Sequence, residues 1–505
     1  MMDSAQLCFF LALVVIALCI HMVLSRKIKR DSGAPVRIQP TIPVIGHVIG
    51  VLWYKNEYYY FLSQKCGLPI FSLGMINQDI HVVASPDLMP YLHRKHKAIS
   101  LWQLEGRFTA QLAGLSESAR DRLLANVFDS DTPSLMLKGI KVIQAALSPV
   151  GGMRNMLQVA ALATKNQLDD LATPAKNNRT DLWEWVRHEL TIVTTESLYG
   201  VGNPYRDPKV EAGFWSFSEG SMNLLLPDFL SNIIATKALR GRCTVENGFR
   251  CYFSNGAYLS GSDLMRDRYE LLVDETDDSH KDLAKHETLN DIAVLSNTIP
   301  TAFWAIFHAF SDAHLLVEIR TQVEKITTSE VSSQGTIRKI KLQKLNELPI
   351  LSSMILETLR FRSTGTGPRL VMEDTFVGKD QYLLKKDSMV IIANRRLHFD
   401  KSVWGETADY FHPDRFCSKV PANAFRAFGG GVNKCPGQAF VTPTMAAFIA
   451  MLAMRFDIIP IGDEWADPGQ DLSNMSTQIA PPKKKFMVDI IPREGMKGIA
   501  WSFEM

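Results

Sequence analysis

Cysteine is scarce in this chain: seven residues among 505, scattered and odd in number. That argues against a disulfide scaffold and leaves at least one thiol unpaired. A surplus of charge is missing too. Lys and Arg total 55 and Asp and Glu 53, a net of +2, which gives no support to a protein that tracks a phosphate backbone, so nucleic acid is not an expected partner. Charged residues make up 21% and hydrophobic residues 46%, a balance that argues against intrinsic disorder. Neither a repeat of roughly 20–50 residues nor a low-complexity tract occurs. Two further motifs are absent, the Gly-x-x-x-x-Gly-Lys phosphate loop and the His-Glu-x-x-His metal helix. Gly429-Gly430-Gly431 lacks the preceding strand and the spacing of a dinucleotide fingerprint, so nicotinamide is not expected to bind within this chain. What remains is one large globular body with an attachment.

The attachment is at the start. Leu7 to Leu24 reads LCFFLALVVIALCIHMVL, apolar except for His21. At about 1.5 Å per residue it spans roughly 27 Å, enough for a thin bilayer core. Arg26, Lys27, Lys29 and Arg30 follow it and Asp3 precedes it, so the positive-inside rule keeps the C-terminal side cytosolic. A cleaved signal would want the basic residues before the run. Residues 1–25 are therefore expected to be a single transmembrane anchor, placing the protein in the endoplasmic reticulum membrane. Residues 26–45 are expected to be a basic, proline-stiffened linker containing Pro35, Pro40 and Pro43. Residues 46–505 would form the body. The remaining cysteines would face a reducing compartment, and the sequons at Asn178 and Asn474 would lie on the unglycosylated side.

Within the body, short β-like runs occur at Ile70–Leu73 and His81–Ala84. From about residue 105 to 365 apolar residues recur three and four apart, a helical period, clearest at Glu184–Leu198 and along Leu283–Ile326. Strands return at Arg369–Met372 and Met389–Ile392, and a last helix runs from about Gly437 to Met454. The expected fold class is mainly α with small β-sheets.

The strongest chemical signal is Phe428-Gly429-Gly430-Gly431-Val432-Asn433-Lys434-Cys435-Pro436-Gly437, ahead of an apolar helix. A helix N-terminus offers free N–H groups and partial positive charge, which lower a thiol's pKa and favour the thiolate. Glycines let the backbone pass close to a flat ligand. A thiolate held this way suits the axial position of haem iron. Two further motifs precede it in chain order: Glu357-Thr358-Leu359-Arg360, and Phe411-His412-Pro413-Asp414-Arg415-Phe416.

Together these residues resemble the cytochrome P450 superfamily over nearly all the chain beyond the anchor. The resemblance implies haem b with Cys435 as the iron ligand and Phe428, Gly431, Gly437, Asn433 and Arg369 around the cofactor. It also implies a buried triad of Glu357, Arg360 and Arg415, costly to leave incomplete. Two departures stand out. Members commonly carry Arg or His two residues before the cysteine, where this chain has neutral Asn433. In the long helix the usual Ala/Gly-Gly-x-Asp/Glu-Thr-Thr becomes Val294-Leu295-Ser296-Asn297-Thr298-Ile299-Pro300. Pro300 should kink that helix and free a carbonyl. Asn-Thr-Ile-Pro followed by Phe303-Trp304 is similar to the steroid 7α-hydroxylase and prostacyclin synthase branch, and to fungal biosynthetic members.

By that resemblance Thr298 retains the hydroxyl used in proton delivery and Asn297 orients a water. The implied activity is a monooxygenase fed by an NADPH-dependent cytochrome P450 reductase, with cytochrome b5 as a further donor, docking on the Lys434 side. The pocket walls would come from Leu101–Leu115, Phe214–Phe229, the helix near Ala302, Ser363–Pro368 and Ser476–Ile479. Their aromatic and aliphatic content favours a bulky lipophilic substrate that partitions from membrane lipid, in fungal secondary metabolism of terpenoid, steroid-like or polyketide type. Two other readings stay open: an isomerase that rearranges a peroxide without NADPH, and a non-catalytic haem sensor or membrane component.

Overall fold

The computed structural model describes residues 33–42, 45–75, 78–125, 133–148, 151–172, 179–275, 279–333 and 335–505. The expected anchor at residues 1–25, the basic start of the linker at 26–32, and the sequon residue Asn178 lie outside them. The chain divides into two compact units. One takes residues up to Leu104 with Thr366–Leu397 and Gly430–Asn433; the other takes Glu105–Gly365, His398–Gly429 and Lys434–Met505.

The first unit is built on a six-stranded mixed sheet. Its strands are β1 (Arg37–Ile38), β2 (Ile70–Gly74), β3 (Asp79–Val83), β4 (Ile99–Ser100), β5 (Gly367–Val371) and β6 (Met389–Ile392). They lie in the order β1-β2-β3-β6-β5-β4. The proline-stiffened linker thus contributes an edge strand, with Arg37 opposite Ser72 in parallel register. β2 and β3 are buried along most of their length because both faces are covered. Phe71, Leu73 and Val82 pack in one cluster with Tyr59, while Ile70 and Val83 pack in another with Leu92 and Val390. A polar chain crosses this sheet: Ser72 Oγ lies 2.8 Å from His81 Nδ1, and His81 Nε2 lies 3.1 Å from Ser388 Oγ. Burial pushes His81 down to about 4, so it is a neutral bridge at physiological pH.

The second unit is mostly helical. The helices that position the site are α1 (Leu182–Tyr199), α2 (Pro208–Gly220), α3 (Thr236–Ser254), α4 (Ser279–Leu295), α5 (Thr298–Ser311), α6 (Pro349–Phe361) and α7 (Gln438–Arg455). One large apolar cluster joins them, with Phe303, Trp304, Phe448 and Leu452 at its centre. Among the described residues Lys281–Ser311 and Gln438–Arg455 are apolar and long enough to cross a membrane, but 67% and 78% of those windows are buried within the protein, as for core helices. At the α2–α3 crossing the backbones touch. A Cβ on Gly241 would lie 2.3 Å from the Gly213 carbonyl oxygen, so only glycine permits that approach.

Three details differ from the expectations drawn from the sequence. The helical period over residues 105–365 hides three strands, Arg179–Asp181, Thr327–Ser332 and Gly335–Lys341. They are short and carry charge on their exposed sides, so alternation is hard to see in them. The stretch Leu283–Ile326 is three helices rather than one, since Ala313–Lys325 starts anew after Asp312, whose carboxylate accepts the His314 and Leu315 N–H groups. The interruption expected at Pro300 lies one turn earlier, at Ser296–Asn297. Proline has no N–H for the carbonyl four residues back, and its ring crowds that carbonyl. Unwinding therefore falls at residue 296, and Pro300 itself sits comfortably in the first turn of α5.

Candidate haem-thiolate site

The cysteine loop is a tight turn closed by its own backbone. Cys435 N–H donates to the Phe428 carbonyl at 2.9 Å, and Gly429 N–H donates to the Arg426 carbonyl at 3.0 Å. Gly429 has φ +69° and Gly431 φ +60°, the left-handed region that glycine enters without strain. A Cβ on Gly431 would stand 2.9 Å from His93 Cγ. Gly437 precedes α7 and a Cβ there would meet Cys435 Sγ at an ordinary 3.6 Å. The two N–H groups of Gly437 and Gln438, at the start of α7, hydrogen-bond to the Cys435 sulfur and pull its pKa down. Burial outweighs them, with Glu105 adding to it, and the net direction is upward. The expectation of a thiol acidified by the helix terminus is therefore corrected: the amides act as anticipated, but desolvation wins. The residue still reaches solvent.

Triad and loop are tied together. Arg360 Nε and Nη2 each donate to Glu357 at 2.7 Å, and Arg415 Nε reaches both carboxylate oxygens at 3.1 Å. Glu357 and Arg360 are fully buried, and the His412 N–H adds a further bond to Glu357 at 2.9 Å. The leftover Arg360 donors go to the carbonyls of His398, Ala408 and Tyr410 at 2.6, 2.9 and 3.1 Å. His398 then carries the connection onward. Its Nε2 accepts the Arg426 N–H at 2.8 Å, one residue pair upstream of Phe428. Nothing in the sequence marked His398, because its partners lie 38 and 28 residues away.

On the long helix, Thr298 Oγ1 donates to the Val294 carbonyl at 2.6 Å. Asn297 Oδ1 accepts the Gln478 N–H at 2.7 Å. Its carbonyl accepts the Thr301 hydroxyl at 2.6 Å. The side-chain oxygen expected to orient a water is already taken, which leaves the amide N–H groups as the free function of Asn297. In the first unit, Arg369 is buried and donates to the Pro368 carbonyl at 2.6 Å. Asn433 has a buried Oδ1 with no hydrogen-bond partner among the described residues. Two further cations, Lys138 and Lys141, lie on the helix Leu135–Ala146, half-buried and exposed respectively.

These residues fit an iron porphyrin better than a bare ion. Among the described residues no group of three or more His, Cys, Asp or Glu could hold a metal ion. A single sulfur with two amide donors is the donor set of a thiolate-ligated haem. Arg426 is buried and its Nε has no hydrogen-bond partner among the described residues, and burial pulls its pKa to about 10. The loop thus carries a cation without an acid to match it.

A family model described as Cytochrome P450 matches residues 266–488. Over 98% of its length the chain is 30% identical to a cytochrome P450 monooxygenase, nodJ, of Hypoxylon pulicicidum, covering 96% of that protein. The chain belongs to the cytochrome P450 family. A cytochrome P450 monooxygenase of Gibberella zeae is 25% identical over 94% of this chain and 92% of its own. Rat cytochrome P450 7A1 is 25% identical over 43% of this chain and 46% of its own. This P450 is a haem b monooxygenase that acts on a small molecule and draws electrons from a redox partner. On its cysteine side a cleft of about 580 Å³ is lined by Gln144, Leu147, Leu356, Lys434, Cys435 and Thr442.

Proposed function

We propose that this P450 hydroxylates a bulky lipophilic substrate in fungal secondary metabolism, with electrons from an NADPH-dependent cytochrome P450 reductase and cytochrome b5 as a possible second donor. The observation that carries this reading is the Cys435 sulfur between the Gly437 and Gln438 amides, in a loop braced through His398 to the Glu357–Arg360–Arg415 triad. Haem supplies the centre at which dioxygen is reduced. Binding iron requires Cys435 to lose its proton, and the two amides stabilise the resulting thiolate. Phe428 and the glycines shape the loop, and the assignments of Gly431, Asn433 and Arg369 to the cofactor rest on the resemblance. Thr298 Oγ1 donates to Val294, so its oxygen keeps lone pairs with which to accept and pass on a proton from water. Asn297 contributes position and an N–H donor. Full-length similarity to two fungal monooxygenases supports the biosynthetic setting.

The walls supplied by the second unit are apolar: Phe214, Trp215 and Phe303 are buried around α2 and α5, with Trp183 edge-on to Trp215 at 6.2 Å. That lining suits a lipophilic molecule. We place residues 1–25 in the endoplasmic reticulum membrane as a single anchor, 26–45 as linker and 46–505 as the cytosolic catalytic body. The helix Gly46–Tyr54 supports this, since it exposes Leu52, Trp53 and Tyr54 just after the anchor, a surface that suits a lipid interface. The cleft beside Lys434 is the surface offered to the reductase.

The test begins with reduced protein and carbon monoxide, which should absorb at roughly 450 nm. Cys435→Ser should lose that band. Product formation that needs NADPH, O2 and a reductase supports the hydroxylase. One observation favours the isomerase: the Thr298 proton is committed to Val294 at rest. Peroxide rearrangement without NADPH would decide for it.

A further inference from the structure

The break between α4 and α5 is held from two sides. Ser296 Oγ lies 2.8 Å from Ser218 Oγ on α2, and Asn297 Oδ1 holds the Gln478 N–H. The circuit closes on itself. Asn474 Nδ2, four residues before Gln478, donates to the Ser218 carbonyl at 2.9 Å. Helix α2, the helix break and the 474–478 turn therefore form a ring of hydrogen bonds with Ser218 at one corner. Ser218 and Ser296 are both 3% exposed, so neither hydroxyl has water to fall back on.

The three members are not equally fixed. The turn is stapled to the segment after α6, where Thr364 and Gly365 N–H groups donate to the Gln478 carbonyl at 2.9 and 3.1 Å. A Cβ on Gly365 would lie 2.6 Å from Gln478 Cα, which shows how closely the two backbones meet. Trp304 Nε1 on α5 adds a bond to the Ala480 carbonyl at 2.9 Å. Turn and α5 thus form a frame. Helix α2 joins that frame through neutral bonds at Ser218, and it is locked to α3 at the Gly213–Gly241 crossing. The helix break adds compliance, because the Ser296 carbonyl has lost its backbone partner to Pro300 and side-chain ties decide its position.

We propose that Ser218, Ser296 and Asn474 form a clasp that selects ligands by size. Closed, it holds the α2–α3 pair against the frame. Open, it releases the pair and admits a bulky molecule. The three are positioning residues, and the proposal rests on the reading of Cys435 as haem ligand and of α2 and the 474–478 turn as pocket walls.

The test uses the full-chain holoenzyme and two iron-ligating probes of different bulk, imidazole and clotrimazole, followed by stopped-flow absorbance. Ser218→Ala should speed clotrimazole association and dissociation about fivefold, the factor for one lost neutral hydrogen bond, and leave imidazole rates within about twofold. Asn474→Ala, which cuts the same corner from the other side, should act in the same direction. Ser218→Thr, which keeps the hydroxyl, should restore the wild-type rates. Clotrimazole rates that do not change in either alanine variant would overturn the clasp, as would equal changes with both probes. Failure of the site reading looks different: the wild type would then lack the band near 450 nm and bind neither probe.

Discussion

Asp291 offers a quantitative test of how the long helix is held. It is fully buried on α4, where Tyr199 donates to Oδ1 at 2.5 Å and Tyr205 to Oδ2 at 2.6 Å. Glu287 lies one turn earlier, its Oε1 paired with Arg268 at 2.8 Å, and the Tyr252 hydroxyl caps the Tyr199 carbonyl. Burial pushes Asp291 up to about 8, against the pull of both tyrosines. The folded protein therefore keeps a proton that the unfolded chain releases above pH ~4. Stability from this group is full below pH ~4, falls as pH rises toward 8, and is level above that. At about 1.4 kcal/mol per pH unit, the cost at pH 7 is on the order of 4 kcal/mol.

Asp291→Asn removes that cost while keeping the geometry. Its Oδ1 can accept from Tyr205. Its Nδ2 can donate to the Tyr199 oxygen, and the Tyr199 proton can turn to Glu287 Oε2, now 3.4 Å away. The assay is thermal unfolding of wild type and variant, followed through haem absorbance, from pH 5.5 to 8.5. The gap in favour of the variant should widen with pH by about 1.4 kcal/mol per unit up to about pH 8 and then level off, or roughly 1–3 °C in Tm per unit for a chain of this size. Parallel curves would refute the reasoning, since they would mean that Asp291 keeps one protonation state throughout.

Glu357→Ala leaves the buried guanidinium of Arg360 and that of Arg415 without an acid, a loss of about 3–5 kcal/mol, to be read as lost haem content and a missing band near 450 nm. Asn297→Asp keeps an acceptor for the Gln478 N–H and should lose less Tm than Asn297→Leu, which should lower stability by about 1–3 kcal/mol through the orphaned amide. Equal losses in the two would remove the strap assigned to Asn297. Thr298→Ala should divert NADPH consumption from product to hydrogen peroxide if the protein is a hydroxylase, with partial recovery in Thr298→Ser, and an unchanged ratio of product to NADPH would tell against a proton role.

The parts of this P450 that were legible in the sequence are those carried by residue identity over short spacings. Cys435 and its following helix, the Glu357–Arg360 pair three apart, and the strands at residues 70 and 389 all depend on neighbours within one or two turns. What stayed hidden depends on partners far along the chain. The pKa direction of Cys435 is set by desolvation, with a smaller push from Glu105, some 330 residues away, which no local pattern reports. Asn297 meets Gln478 across 181 residues, and Ser218 meets Ser296 across 78. Pro300 announced a break, but the unwinding falls where its missing N–H is felt, four residues back.

Asparagine stands at two places where the family usually has a charge, at 297 and at 433, and the first shows what such an exchange can achieve. An acid at 297, a half-buried position, would need a cation or water to hold it. The amide needs neither. Its oxygen ends on a backbone N–H of the 474–478 turn and its N–H groups stay available, so one neutral side chain ties the helix break to that turn and still presents a donor. In the proposed reading, position 297 holds geometry in place of supplying protons, and the proposed clasp at Ser218 extends the same neutral bonding from the helix break to α2. In the proposed hydroxylase, proton delivery is left to Thr298 and whatever water the groove admits, which is why the Thr298 variants, rather than those at Asn297, separate oxygen use from peroxide rearrangement.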